Sequence, residues 1–268
     1  MSAQSISLDQ VRGNLGHTKQ GCLSGRNAPA DAPSAERPRG LLFGMADVLH
    51  DATLWRRWLL QLIARFGLQP QYQAFFEAWD RDYFMAVRRG QREFGEAFQA
   101  FLASAGLSPG QIDEVDAASQ ARRRILETNA RPLPGVRSTL GQLRQTGMTL
   151  AVLADSEFSA DRLSQQLGRM GLGDFFTAVI SSFDLERTKP DPVCYQQALA
   201  AMSLSAAEVW FVGQGVEELQ GARTLSMSTV AFNFGADAEA DHYLDRFDEL
   251  LHLVQGTGRR SWAHEQAA

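Results

Sequence analysis

The sequence predicts an α/β protein built on a doubly wound parallel sheet, with an all-helical segment inserted after the first strand. Three observations carry that prediction. Leu41–Leu49 (LLFGMADVL) reads as a buried strand running into a loop. Residues 55–131 show helical periodicity throughout. From Pro132 onward, short apolar strands alternate with helices, the rhythm of a parallel sheet covered on both faces.

The elements follow in chain order. Residues 1–39 are rich in Ser, Gly, Ala, Pro and Arg and end in APADAPSAERPR, so they are expected to form a flexible leader. Residues 40–54 open an α/β core that resumes at 132–255, while 55–131 form a separate helical unit. In that unit Trp55, Trp58, Leu59, Leu62, Ile63 and Phe66 recur at i, i+3, i+4 spacing. Helical patterns follow at 71–89, 94–104 and 111–128, the last after the turn Ser108, Pro109, Gly110. Their many aromatic residues are expected to pack the unit internally, with a pocket or partner surface as the alternative. The second half alternates helix 136–146, strand 148–153, helix 159–171, strand 178–181, helix 193–202, strand 209–212, helix 217–225 and strand 228–232. A closing helix is expected over 242–254, and residues 256–268 read as a polar tail.

Bulk composition excludes several functional classes. The 268 residues are 44% hydrophobic and 21% charged, with a net charge of -5, which suits a globular chain and gives no basic footprint for nucleic acid. No apolar run approaches a membrane span, and the N-terminus lacks a signal peptide's apolar middle, so a cytoplasmic setting is expected. Cys22 and Cys194 stand far apart, outside any metal-ligand spacing. Only Lys19 and Lys189 are lysines; the other 24 of 26 basic residues are arginine.

The order and spacing of five short motifs then point to a relationship. The loop Gly44–Met45–Ala46–Asp47 follows the first strand, PLPGV spans Pro132–Val136, and a later strand ends at Ala154, Asp155 and Ser156. LERTKPDP covers Leu185–Pro192, and FVGQGVEELQGAR covers Phe211–Arg223. Over residues 40–255 the chain resembles the haloacid dehalogenase-like (HAD) superfamily, in the phosphatase and phosphoglucomutase-like branch with a helical cap. The resemblance implies a Rossmann-like core carrying the cap at 55–131.

It also implies a site, which this sequence lacks in part. The family places a nucleophilic carboxylate at the first strand's end and a second, acid–base carboxylate two residues on. Gly44 and Ala46 occupy those positions. Where the family has Gly, a phosphate-binding hydroxyl, Asn and a magnesium-binding acid, this chain has Asp47, Ala154, Asp155 and Gln214, but Lys189 and Glu218 retain the family's residue character. The expectation is therefore a binding or regulatory pseudoenzyme without hydrolase activity, with no cofactor and weak or absent Mg2+. Asp47, Asp155, Lys189 and Glu218 would remain as a vestigial anion cleft. A small-molecule ligand or a protein partner is expected, and neither nucleic acid nor membrane. The alternative is a divergent hydrolase that acts on a small phosphorylated metabolite through non-standard residues.

Individual side chains carry competing expectations. Lys189 either binds an anion or, preferably, pairs with Asp47, Asp155 or Glu218, because a partly buried ammonium needs a counter-charge. Asp47 and Asp51 are poorly placed as displaced nucleophiles, His50 reads as a polar loop residue, and Cys194 as a small buried side chain rather than an activated thiol. Gly213 and Gly215 serve backbone geometry. The Arg122–Arg124 run is expected to face solvent, with partner docking as the alternative.

Overall fold

A computed structural model describes residues 37–256, which all fall within one compact unit. Most of the expected leader and the tail beyond residue 256 lie outside the described residues.

Among the described residues, six strands form one all-parallel sheet. They are β1 (Gly40–Phe43), β2 (Thr149–Ala154), β3 (Ala178–Ser181), β4 (Val209–Gly213), β5 (Ser228–Phe232) and β6 (His242–Leu244). Their spatial order is β3-β2-β1-β4-β5-β6, so β1 sits in the middle, paired with β2 and β4. Strand order reverses beside β1, and the crevice above the carboxyl ends of β1, β2 and β4 is where such sheets take ligands. The fold class read from the sequence is the one observed.

Alternation along the strands explains why both faces are covered. Leu41, Phe43, Leu150, Val152 and Val212 enter one buried cluster, while Leu42, Ala151, Leu153 and Phe211 enter another. Every residue of β1 is buried, so the strand end is set by packing from both sides.

The segment between β1 and β2 is helical: α1 (Leu54–Ala64), α2 (Tyr72–Ala78), α3 (Met85–Arg88), α4 (Phe94–Ser104) and α5 (Pro109–Thr128). It has its own buried cluster, centred on Trp79, Phe76, Phe98 and Leu59. α5 starts two residues before the expected Gln111. Pro109 occupies its first turn, and the Gln111 side chain accepts from the Ser108 N–H at 2.8 Å, closing a capping box. The single helix expected over 71–89 is divided by a π-helical turn at Trp79–Phe84. That wider turn stacks Trp79 on Tyr83 and Phe84, at ring separations of 6.4 and 5.2 Å, an arrangement the apolar periodicity could not specify.

The core helices are α6 (Val136–Gln145), α7 (Ala160–Arg169), α8 (Ser182–Leu185), α9 (Pro192–Met202), α10 (Val216–Thr224) and α11 (Glu249–Val254). α9 opens on Asp191, which accepts the Val193 N–H at 3.0 Å, followed by Pro192. The closing helix expected over 242–254 is corrected. Its first part is strand β6, and only Glu249–Val254 is helical. The Asp241 carboxylate accepts from both the N–H and the hydroxyl of Thr229 at 2.8 Å, pinning the segment beside β5, and His242 stacks on Trp210 at 4.9 Å. Tertiary contacts override a helical pattern that short.

Trp79 is 1% exposed and touches Trp55, Phe94, Phe98 and Phe101. Trp79→Ala is predicted to destabilise the protein by about 3–5 kcal/mol in urea unfolding followed by circular dichroism; a loss below about 1 kcal/mol would mean this cluster does not hold the helical segment together.

Candidate functional site

A cleft of about 960 Å3 lies between the helical segment and the carboxyl ends of β1, β2 and β4. All eight site residues named from the sequence line it: Gly44, Ala46, Asp47, Ala154, Asp155, Lys189, Gln214 and Glu218. Four separate stretches of chain meet there because β1, β2 and β4 end side by side and the turn before α9 brings Lys189 across them.

The strand-end loop keeps its backbone geometry. Gly44 donates its N–H to the Val212 carbonyl at 2.8 Å, tying the loop to β4. A Cβ at Gly44 would stand 3.3 Å from a Val48 methyl and 3.8 Å from Glu218 Oε2, so a side chain there would enter the floor of the cleft. Asp47 has φ of +56°, the left-handed region that glycine occupies without strain and Asp tolerates. Its carboxylate is committed to the loop, accepting the Ala52 N–H at 2.7 Å. Asp51 is also engaged locally: burial opposes its ionisation, but the Thr53 hydroxyl and N–H, at 2.6 and 2.8 Å, hold its carboxyl below the usual range. His50 is bridged through its backbone to Ala46 and Pro132, and burial lowers its imidazole pKa despite neighbouring Asp47.

The charged floor is centred on Lys189 and Glu218. Lys189 Nζ lies 2.6 Å from Glu218 Oε2, with the two side chains 6% and 14% exposed. It also donates to the Leu153 carbonyl at 3.3 Å, while the Lys189 backbone N–H donates to Asp155 at 3.1 Å. Glu218 Oε1 accepts the N–H groups of Gln214 and Gly215 at 2.7 and 3.0 Å, so the carboxylate folds back onto the start of its own helix. Gly213 makes this possible, because a Cβ there would stand 2.8 Å from Glu218 Oε1. Burial works against both charges, but their mutual attraction prevails: the Lys189 pKa is raised and the Glu218 pKa lowered.

The upper wall comes from the helical segment. Asp80, within the π turn, pairs with Arg56 at 2.8 Å and Arg88 at 3.3 Å. Arg123 of α5 pairs with Glu157 and lies 3.5 Å from the Phe94 ring centroid. This corrects the solvent-facing expectation for the arginine run in part: Arg124 is exposed, but Arg123 lines the cleft. Sequence reasoning missed Asp80, Arg56, Arg88 and Glu157. Their partners are 24 and 34 residues distant in the cross-segment pairs, beyond any local pattern. Cys194 is buried, and burial pushes its thiol up to about 12, the reverse of an activated nucleophile.

The donor set does not suit magnesium. That ion takes near-octahedral oxygen ligation with carboxylates neutralising its charge. The strand end offers Gly44 and Ala46, Gln214 offers a neutral amide, and three donors already occupy the Glu218 carboxylate. Among the described residues no group of three or more His, Cys, Asp or Glu could hold a metal ion. No helix among them is long and apolar enough to cross a membrane.

Comparison with known proteins agrees with this geometry in fold and kinship. A family model described as haloacid dehalogenase-like hydrolase matches residues 91–232. The chain is 33% identical over 228 residues to glyceraldehyde 3-phosphate phosphatase of Methanocaldococcus jannaschii, covering 81% of this chain and 97% of that protein. It is 29% identical over 126 residues to phosphoglycolate phosphatase of Pectobacterium atrosepticum, covering 44% of this chain and 53% of that protein, so this match spans only about half the relative's length. The L-2-haloacid dehalogenase of Xanthobacter autotrophicus superposes with a TM-score of 0.61 at 19% identity, over 82% of this chain and all of that one, a likeness of fold. The chain therefore belongs to the haloacid dehalogenase-like hydrolase family.

Removing one partner of the buried pair leaves the other charge uncompensated. Lys189→Met is predicted to cost about 3–5 kcal/mol in chemical unfolding at neutral pH. The pH dependence has a definite sign. Because the Glu218 pKa is depressed, its contribution is present above the ordinary value of 4.5 and is lost as pH falls through the folded-state value. The Lys189 contribution is present below 10.5 and is lost as pH rises through its raised value. Glu218→Gln should therefore flatten the acid limb of unfolding free energy against pH; an unchanged limb would mean the pair carries no such linkage.

Proposed function

We propose that this family member works by binding, without HAD-type hydrolysis, and that its ligand is a small molecule held in the cleft. The observation that carries the proposal is the bare strand end. Gly44 and Ala46 stand where attack and proton transfer require carboxylates, and the nearest acids are occupied: Asp47 by Ala52, Asp51 by Thr53 and Glu218 by Lys189. Phosphoryl transfer depends almost wholly on positioning and electrostatic stabilisation. Carbon–halogen hydrolysis in the family uses the same nucleophile position and is lost with it. The cleft's aromatic wall, including Trp55, Phe84 and Phe94, supplies apolar area for a ligand, with Arg56, Arg88 and Arg123 as orienting groups. A reducing, cytoplasmic setting suits the buried thiol of Cys194. A protein partner on the helical segment would be compatible with the same loss of chemistry.

A second reading has its own support. Several relatives are phosphatases by name, glyceraldehyde 3-phosphate and phosphoglycolate phosphatases among them, and kinship alone favours a divergent hydrolase acting on a small phosphorylated metabolite. Such an enzyme would have to recruit Asp47 or Asp155 as nucleophile alongside Lys189.

The two are separated by turnover. With magnesium and p-nitrophenyl phosphate, the natural protein is predicted to release no more phosphate than Lys189→Ala, and the double variant Gly44→Asp, Ala46→Asp serves as comparator for a refilled strand end. Magnesium-dependent turnover by the natural protein that disappears in Lys189→Ala would establish the hydrolase reading.

A further inference from the structure

We propose that the helical segment carries an oxyanion-recognition site, formed by Arg88 with Arg56 beside it, which holds the carboxylate or phosphate group of a ligand whose apolar body lies on the cleft's aromatic wall. The inference rests on reading the cleft as a small-molecule site, and adds the chemical group recognised and the residue that selects it.

Asp80, Phe84 and Arg88 recur at four-residue intervals along the π turn and α3, and all three line the cleft. Wider helical turns of this kind are frequent at functional sites. The Ser182 hydroxyl donates to the Arg88 carbonyl at 2.7 Å, which fixes the end of this row against the core. Arg88 weighs as a like charge against ionised Lys189, so the guanidinium and the floor ammonium share one cleft.

One carboxylate here serves two guanidinium groups. Asp80 Oδ1 accepts from Arg56 at 2.8 Å and from Arg88 at 3.3 Å, so the trio keeps one positive charge in excess and Arg88 has the longer contact. Its Nε is buried with no hydrogen-bond partner. Arg88 and Arg56 are 22% and 24% exposed and lie over the Phe84 and Phe76 rings at 4.6 and 5.0 Å, so water compensates the excess charge poorly. The other acids lining the cleft are held by donors of their own: Asp47 and Asp51 by loop groups, Asp155 and Glu218 by Lys189, Glu157 by Arg123, and Glu127 by Arg162 and Arg169. A ligand oxyanion supplies the missing acceptor, because a planar guanidinium offers Nε and Nη together to a carboxylate or phosphate. At the exposed rim of the cleft, Arg131 adds a cation with no acid partner among the described residues; it donates to the Ala130 carbonyl at 3.0 Å.

The test is isothermal calorimetry on the full-length protein at neutral pH, with benzoate and phenyl phosphate as probes and benzamide and phenol as their uncharged counterparts. At least one acid is expected to bind saturably, about tenfold or more tighter than its counterpart. Which acid binds distinguishes a carboxylate ligand from a phosphate one. Arg88→Met should weaken that acid about ten- to a hundredfold and leave the counterpart unchanged. Arg131→Met, at an exposed position, should cost about fivefold or less. Acids and counterparts binding alike, no saturable binding of either acid, or acid binding untouched by Arg88→Met overturns the proposal. Should Arg88→Met not fold, the comparison of acid with counterpart on the natural protein decides by itself. Magnesium-dependent release of phosphate from phenyl phosphate would remove the non-hydrolytic reading and leave acid recognition by Arg88 standing, whereas loss of acid selectivity without turnover removes this inference alone.

Discussion

The ion pair between Lys189 and Glu218 is the contact on which the cleft depends. Both groups are nearly out of water, where an unpaired charge is costly, and each satisfies the other at 2.6 Å. The pair joins the turn before α9 to the start of α10, and through the Leu153 carbonyl and Asp155 it reaches the end of β2. Three of the four stretches that build the floor are thus held by one lysine. Glu218 sets the loop Gly213–Gln214–Gly215 by drawing two N–H groups onto one oxygen. The arrangement uses the residues a catalytic site of this family would need, but spends their charges on each other.

Around that floor the helical segment is joined to the core by polar contacts distributed along two seams. α5 contributes Arg123 to Glu157, and Glu127 to Arg162 and Arg169 of α7 at 3.1 and 2.7 Å. On the other side, the Ser182 hydroxyl donates to the Arg88 carbonyl at 2.7 Å and Arg89 donates to the Thr188 hydroxyl at 3.2 Å. The internal packing of the segment is aromatic. The cleft is lined where that packing meets the carboxyl ends of the strands.

Much of this was legible in the sequence, for identifiable reasons. Apolar runs such as Leu41–Phe43 and Val209–Val212 are buried on both faces, and the helices between them have the length that parallel crossovers need. The motif residues fell into one cleft because strand ends in such a sheet converge. What escaped depended on contacts distant in sequence. The π turn at Trp79–Phe84 stacks Trp79 on Tyr83 and Phe84 and sets it against Phe101 of α4, and β6 forms because Asp241 is caught by Thr229. Arg123 looked like one member of a solvated basic run; its role follows from Glu157, which no local spacing connects to it. Asp47 illustrates the middle case: the sequence showed a residue replacing glycine, and the structure shows φ of +56° with the carboxylate turned to cap its own loop.

If no carboxylate in this cleft attacks phosphorus, a phosphoryl donor leaves the protein unmodified. Incubation of the natural protein with acetyl phosphate and magnesium, followed by acid quench and intact-mass measurement, should leave the protein at its unmodified mass. A stoichiometric adduct of one phosphoryl group, mapped to Asp47 or Asp155, would contradict the account and identify the nucleophile of a divergent hydrolase.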